Sequence, residues 1–342
     1  METEGPDARE RAEARTLLAR QLHLDGRLGA AAEEGLLALA AWRELGDAER
    51  QCEVLLWLVW ALSDHGASTE ALLLARHAFD VARASRLPAA LERSLVAVAG
   101  LQGRLGDPAA AETLLLHALS RARELPDNQQ LPVPLNALMA TLLSAHETQR
   151  ETDPERAAAT AARLHRHARD ALRWAAEEPD RLRQAILLSN AGAALGVAGH
   201  AAEGIQRLRE ALQLANDAGL RLVALRAAER LSVLLLLTGQ VEEAQALALP
   251  LHERLRTDDG PAVRESVHLA LSRLAAARGD TEAAARMRTA AAQDAVEQQA
   301  GAAAMRDAVA RVAGAVLREL PEVDLEWARL TLQGTVRSHQ AE

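Results

Sequence analysis

The chain contains 342 residues and carries a formal net charge of −9 at pH 7, from 48 acidic and 39 basic side chains. Aromatic residues make up only 2% of it, so the residues that favour β-sheets are scarce, and the helix formers Ala, Leu, Arg and Glu dominate. This composition predicts an all-α protein and argues against nucleic-acid binding, which usually needs a concentrated basic face. Every basic side chain is Arg and none is Lys, which is typical of a GC-rich genome.

Cysteine usage and hydropathy indicate a compartment. The single cysteine, Cys52, cannot form an internal disulfide, which suits a reducing cytosol. Residues 1–20 are charged throughout and lack the apolar core of a signal peptide. The longest apolar stretch, from Val54 to Leu62, is far shorter than a membrane span. We therefore expect a cytoplasmic protein with no membrane partner.

A glycine recurs at a fixed interval and defines a repeat. Apolar residues eleven, eight and four places before it share one helix face, and those five, nine and twelve places after it share another. Each unit is therefore predicted to be a helix, a tight turn and an antiparallel second helix. Such a pair cannot bury its apolar face alone, so neighbouring pairs must stack. The anchor glycines lie 40 residues apart in two runs, Gly26, Gly66 and Gly106, then Gly199, Gly239 and Gly279.

Small residues indicate where the two helices of a unit approach each other. Seven residues before the anchor the chain has a small side chain, as at Gly192 and Ser272. Five residues after the anchor it has an alanine, as at Ala111 in unit three. We predict that a larger side chain at Ala111 would overpack the contact between the helices.

The first units follow the rule closely until unit four. Unit one covers about 7–45, and unit three begins its second helix with Asp107 as N-cap and Pro108 at the first helical position. The interval from anchor 106 to anchor 199 is 93, which is two periods plus 13 residues. The stripes of unit four fit an anchor at His146 upstream and one at Ala159 downstream. Asp153-Pro154 then predicts a longer loop and a second helix extended at its front end.

Units five, six and seven return to strict spacing. A weaker stripe follows and fits an anchor at Leu320, which predicts a degenerate eighth helix pair that caps the array. The predicted domains are a repeat solenoid over 7–300 and a cap and tail over 301–342. One continuous helix from Thr281 to Glu319 is the alternative.

The glycine turn, the alanine five residues on and the Ala-Leu pair after twelve and thirteen residues resemble the tetratricopeptide repeat family. The segments Asn190–Gly199 and Glu203–Leu212 are the most similar. The unit departs from the family's period of about 34 residues, and Leu or Ala replaces most of the family's aromatic residues. Long units of this kind resemble the sensory regions of bacterial signalling proteins. The resemblance implies a right-handed α-solenoid whose first helices line a concave, partner-binding groove.

Motifs for chemistry are missing from the sequence. It contains no phosphate loop, dinucleotide fingerprint, nucleophile elbow or paired-histidine zinc motif. His165 and His167 point to different sides of a helix, so with His146 they are predicted to be surface histidines rather than metal ligands. Residues Asp258–Pro261 are typical of a turn rather than a calcium loop. We therefore predict no catalytic, cofactor-binding or metal-binding residue and expect that the protein is not an enzyme.

The family resemblance implies which side chains face the groove, namely those thirteen, ten, nine and six places before each anchor. Among them Trp57 and Trp60, at i and i+3, are suited to anchoring an apolar residue. The arginines of units six and seven concentrate positive charge, and guanidinium forks match carboxylates. The predicted groove residues are Glu53, Trp57, Trp60, Arg93, Asn136, Ser189, Asn190, Arg226, Glu229, Arg230 and Arg273.

Several alternatives stay open at this point. The tryptophans could fill space between helices, and the arginines could be solvated or paired with Glu229. Asn136, Ser189 and Asn190 could clamp the backbone of an extended peptide. The predicted function is a scaffold or adaptor in bacterial signalling or regulation that binds a protein segment in the groove. The alternatives are a sensor of a small ligand or signalling peptide that forms a homodimer through its tail, and, less favoured, a hydrolase assembled across repeats.

Overall fold

The computed structural model describes residues 7–25, 27–64, 68–104, 108–124, 132–255 and 261–312. The fourteen secondary-structure elements assigned in these ranges are all α-helices, which confirms the predicted all-α class. None of them combines the length and hydropathy that a membrane span requires. The helices are α1 Ala8–Leu24, α2 Leu28–Glu44, α3 Ala48–Asp64, α4 Ser68–Ala84, α5 Pro88–Arg104, α6 Pro108–Glu124, α7 Pro132–Thr152, α8 Pro154–Glu177, α9 Arg181–Val197, α10 Ala201–Asp217, α11 Arg221–Leu237, α12 Val241–Arg254, α13 Pro261–Ala277 and α14 Thr281–Val312.

The described residues fall into two compact units. The first, called the N-unit here, contains 7–23, 27–118 and 300–312, and so holds α2 to α5 and most of α1 and α6. The second, called the C-unit, contains 24–25 and 119–299, and so holds α7 to α13 and most of α14. The predicted boundary at residues 300 and 301 stays a prediction.

Neighbouring helices pack in succession, as a helical repeat requires. Consecutive helices pack against each other from α2 through to α5, and again from α7 through to α13. The first helices of successive repeats also pack against each other, since α3 contacts α5, and α7, α9, α11 and α13 follow in contact. The predicted stripe Leu55, Leu58 and Leu62 is fully buried in the core of the N-unit. This pattern is the stacking by which small helix pairs bury a continuous core.

The 40-residue repeat consists of two similar halves. Helices α3, α4 and α5 are each 17 residues long and begin 20 residues apart, and the same spacing separates the starts of α9, α10 and α11. A second set of turns therefore lies midway between the glycine anchors. Gly46, Arg86 and Gly219 occupy these turns, and each has a positive φ, of 69°, 54° and 67° respectively. The sequence analysis missed them because Arg86 hides the glycine pattern.

The turns share one hydrogen-bonded geometry. At the anchor of unit five, the N–H of Gly199 donates to the carbonyl of Gly196, and the N–H of His200 donates to that of Leu195. This is a Schellman motif, which caps the last carbonyls of a helix and needs one residue in the left-handed region. The turn after α4 makes the equivalent bonds around Arg86, so an arginine takes the place that glycine fills elsewhere.

The predicted close approach within a unit is present. A Cβ added to Gly192 would lie 2.9 Å from the carbonyl oxygen of Gly204, so α9 and α10 pack backbone to backbone. In unit seven the residues at the same two places are Ser272 and Ala284, and the Ser272 hydroxyl donates to the Ala284 carbonyl at 3.0 Å. The small residues seven positions before the anchor and five positions after it therefore face each other.

Unit four holds its extra residues in helices rather than in a loop. The α8 helix begins at Pro154, capped by Asp153, whose side chain accepts from the N–H of Arg156 at 3.0 Å. This confirms the predicted start and the forward extension. The expectation of a longer loop is wrong, because α7 also continues to Thr152 and leaves Asp153 as the whole connection. Two extended helices that pack on each other satisfy more backbone hydrogen bonds than a loop of the same length.

Some predictions fall on positions outside the described residues. These include the anchors Gly26, Gly66 and Gly106, the N-cap Asp107, and most of the turn around Asp258. At the C-terminal end α14 runs continuously through Gly301 to Val312, while Leu320 lies beyond the described ranges. The eighth helix pair therefore stays a prediction.

Candidate binding cleft on the first-helix face

The first helices of the C-unit carry seven of the predicted groove residues on one surface, called the first-helix face here. Helix α7 supplies one, α9 supplies two adjacent residues, α11 supplies three and α13 supplies one. Because these four helices pack side by side, equivalent places on them come into line. The seven residues are Asn136, Ser189, Asn190, Arg226, Glu229, Arg230 and Arg273.

Direct hydrogen bonds join four of these side chains. Nη1 of Arg230 donates to Oγ of Ser189 at 3.0 Å and to Oδ1 of Asn190 at 2.7 Å. Nδ2 of Asn190 then donates to Oδ1 of Asn136 at 3.1 Å. One polar chain therefore links α11, α9 and α7. Ser189 and Asn190 are almost completely buried, so their hydrogen bonds serve the protein itself.

Glu229 lies beside this chain and faces the arginines. Burial raises its pKa, while the charges of Arg230, Arg273 and Arg226 and a hydrogen bond from Ser266 oppose that rise. Burial likewise lowers the pKa of the Arg230 guanidinium, against the charge of Glu229. Both residues retain some accessible area, yet protein atoms surround them densely, as expected at the bottom of a cleft. The alternative in which the arginines pair with Glu229 stays a prediction.

A cavity of about 240 Å³ opens between α11 and α13 at this place. Its size is below the range of roughly 300–1,000 Å³ typical of sites for drug-sized ligands, so it suits one side chain better than a cofactor. Its wall is apolar on one side and charged on the other. The lining residues are Leu225, Arg226, Glu229, Arg230, Val263, Ser266 and Val267. The sequence analysis did not identify the apolar part or Ser266, because these residues lie outside the places taken from the family pattern.

Arg273 connects the cleft with the extended part of α7. Its Nη2 lies 3.5 Å from Oε1 of Glu147, in the region that α7 gains from the insertion. The sequence analysis predicted neither this ion pair nor a role for Glu147. The long interval between the two residues gave no local signal.

Two of the predicted groove residues of the N-unit bond to neighbouring groups of the protein itself. Glu53 accepts from Nη1 of Arg50 at 2.8 Å and also from Arg20, so its carboxylate is shared between two guanidiniums. Burial would raise the pKa of Glu53, but the hydrogen bonds from Arg50 and Arg20 outweigh it and hold the pKa below the usual value. Nε of Arg93 donates at 3.4 Å to the carbonyl of Ala89 in its own helix.

The two tryptophans have different surroundings. Trp57 packs against the core and lies edge-on to His23, with ring centroids 5.8 Å apart. A Cβ added to Gly35 would lie 2.5 Å from its ring, so glycine makes room for the indole. Trp60 is half-buried, and Gly100 leaves space beside its ring. Trp57 therefore fills space between helices, whereas the role of Trp60 as an anchor stays a prediction.

A buried ionic cluster between α13 and α14 was not predicted. Nε of Arg264 donates to Oδ1 of Asp294 at 2.8 Å, and Nδ1 of His268 lies 2.6 Å from Oδ2 of the same carboxylate. Glu297 accepts from the other end of Arg264. Burial would lower the pKa of Arg264, but these carboxylates outweigh it and raise the pKa. The pair at i and i+4 on α13 was the only sequence signal, and it did not identify the partner on α14.

The histidines considered as metal ligands differ in their surroundings. His167 is buried, with 8% of its area exposed, so the prediction that it lies at the surface is wrong. The ring of His165 stacks on that of His200 at 4.2 Å, and burial and His200 lower the pKa of His165. Burial and the charge of Arg150 lower the pKa of His146. Within the part of the chain that the structure describes, no three His, Cys, Asp or Glu side chains are grouped to hold a metal ion.

Comparison with known proteins gives a structural similarity without a sequence match. No model of a protein family matches the chain, and no characterised protein matches it by sequence. Among solved structures the chain is similar to the crystal structure of BtubC (BKLC) from P. vanneervenii, with a TM-score of 0.46 and 22% identity. That match covers 67% of this chain and 91% of the other.

Proposed function

We propose that this protein is a non-enzymatic interaction scaffold that binds a protein segment along the first-helix face of the C-unit. In this proposal the repeats form a right-handed, tetratricopeptide-like solenoid in the cytoplasm, and the first-helix face is its concave groove. The observation that carries the proposal is the cavity lined by Arg226, Glu229 and Arg230, with Arg273 two helical turns beyond the lining residue Ser266 on α13. Two guanidiniums and one carboxylate line this cavity, in a chain whose net charge is −9.

The chemistry of the cleft supports an acidic residue as the recognised feature. Guanidinium groups bind carboxylates through charge-assisted, often bidentate hydrogen bonds. The apolar wall formed by Val263 and Val267 would hold the methylene groups of a Glu or Asp side chain. The segment that binds is therefore proposed to carry a carboxylate beside an extended stretch of backbone. A role in bacterial signalling or regulation follows from the resemblance of the long units and is part of the proposal.

Affinity capture from the native cell, followed by mass spectrometry, tests this function. The test variant is Arg226→Gln/Arg273→Gln, and Arg230 stays unchanged because it holds three helices together. The matched control is Arg169→Gln/Arg209→Gln, which removes the same charge from second helices, where these arginines pair with Glu203 and Glu243.

We expect the wild type and the control to capture the same protein and the cleft variant to lose it. If the cleft variant retains every captured protein, the proposed function is wrong.

A further inference from the structure

The insertion in unit four brings a carboxylate of the chain itself to the cleft. Regular first helices end two residues before their anchor, as α9 does at Val197, whereas α7 runs past its anchor to Thr152. Glu147 lies in this added part of α7, and its carboxylate lies 3.5 Å from the guanidinium of Arg273 on α13. Two other first helices, α9 and α11, come between α7 and α13 in the stacking order. The insertion, and not the repeat, therefore supplies this contact.

Arg273 belongs to the ion pair and lies beside the cleft. It follows Ser266, which lines the cavity, by seven residues on the same face of α13, and its Nη2 faces Glu147. The ion pair is open to water, since the side chains of Arg273 and Glu147 are 46% and 64% exposed. Another carboxylate can therefore replace that of Glu147 without any change in the helix core.

We propose that Glu147 is a built-in competitor of the partner's carboxylate. In the free protein it occupies Arg273, and an acidic side chain of the bound segment takes its place. This proposal rests on the proposed function, because it names a second ligand of the same arginine. Exposed ion pairs are weak and screened by salt, so the competition lowers affinity by about two- to fivefold rather than blocking the site.

A neighbouring glutamate provides the matched control. Glu151 is one helical turn further along α7, and its nearest cation is Arg150, at 3.7 Å on the same helix. Glu147→Gln and Glu151→Gln remove the same charge from the same exposed segment. A general effect of net charge would therefore move both variants equally, whereas competition at Arg273 moves only the first.

Fluorescence anisotropy with a labelled oligoglutamate peptide tests the proposal, with oligoglutamine as the uncharged reference. At low salt we expect Glu147→Gln to bind oligoglutamate about two- to fivefold more tightly than the wild type, and Glu151→Gln to match the wild type. In an Arg273→Gln background the Glu147→Gln substitution should have no effect, because its target is gone.

The outcomes separate the two proposals. Equal affinity of the wild type and Glu147→Gln, with weaker binding by Arg226→Gln/Arg273→Gln, overturns the competitor and leaves the binding cleft standing. Equal affinity of all variants, or no binding of oligoglutamate by any of them, overturns both. A gain of affinity in Glu151→Gln equal to that in Glu147→Gln also overturns the competitor, since it indicates a general charge effect.

Discussion

Each unit carries one glutamate of the predicted groove, and the two have opposite surroundings. Glu53 in the N-unit accepts from two arginines at the surface, which hold its pKa below the usual value. Glu229 in the C-unit lies in a cleft, where burial raises its pKa although three arginines oppose the rise. The same helical repeat thus builds a part-buried ion cluster in one unit and a cavity lined by two arginines and a glutamate in the other.

This difference indicates which unit should bind an added carboxylate more tightly. The arginines around Glu53 already have a carboxylate that water reaches easily, so a further anion gains little there. In the cleft the desolvation of Glu229 and Arg230 is already a cost of folding, and an added carboxylate meets preorganised guanidiniums. Corresponding substitutions in the N-unit and the C-unit should therefore change stability by different amounts.

The largest expected effect is on the polar chain of the C-unit. Arg230→Met should lower the free energy of unfolding by about 3 kcal/mol. The substitution removes both hydrogen bonds that Arg230 donates to α9, and it takes a cation away from Glu229 in the cleft. The N-unit counterpart Arg50→Met should cost below about 1 kcal/mol, since its ion pair is partly exposed. Urea unfolding followed by circular dichroism measures both. Equal losses would contradict the contrast.

The next effect concerns the contact between the two helices of a unit. Gly192→Ala should cost about 1–3 kcal/mol, because the added Cβ would lie 2.9 Å from a backbone oxygen of Gly204. In the N-unit Ala111→Leu should overpack a fully buried place on the second helix, which corresponds to Gly204 rather than Gly192, at a similar cost. Thermal melting checks both, and Gly29→Ala is the control, since no atom lies within 4 Å of its added Cβ. An unchanged melting temperature in Ala111→Leu would show that the register of unit three is wrong.

A smaller effect should appear at the half-period turns, with opposite signs in the two units. Arg86→Gly in the N-unit should stabilise by about 0.5–1 kcal/mol, because glycine adopts a φ of 54° without strain. Gly219→Ala in the C-unit should destabilise by about 1 kcal/mol, because its φ is 67°. Chemical denaturation of the two variants decides this, and destabilisation by Arg86→Gly would show that Arg86 contributes contacts beyond the turn.

The smallest effect is the pH dependence of the two glutamates. A lowered pKa means that Glu53 stabilises the fold above its ordinary value near pH 4 and loses this as the pH falls through the lower, folded value. Glu53→Gln should therefore cost about 0.2–1 kcal/mol at pH 7 and progressively less as the pH falls below about 4.

A raised pKa means the reverse for Glu229. Its contribution is present below the ordinary value and is lost as the pH rises through the folded value, so Glu229→Gln should gain on the wild type with rising pH. Denaturation of both variants across this range measures the two slopes. If the stability differences of both variants from the wild type changed with pH in the same direction, the proposed contrast between Glu53 and Glu229 would be wrong.

The sequence predicted those features that repeat. The period, the helix pairs, the facing small residues Gly192 and Gly204, and the capped start at Asp153 all follow from local spacing. The half-period turn at Arg86 was not predicted, because a residue other than glycine occupies the left-handed position.

The features that do not repeat could not be predicted. Arg273 meets Glu147 only because α7 is lengthened and the stacked helices bring distant places together, which depends on packing angles that spacing does not encode. The cluster around Asp294 likewise needs the mutual rotation of α13 and α14. Seven of the eleven groove candidates lie on one surface, but their hydrogen-bonded partners emerged only from the structure.

The most direct test of the binding cleft is photo-crosslinking to the captured partner. A photoreactive residue placed at Glu147, beside Arg273, should form a covalent product with the partner. The same residue placed at Gln213, exposed on the second helix α10, should form none. Crosslinking from Gln213 and none from Glu147 would contradict the account, because the partner would then bind a second-helix surface.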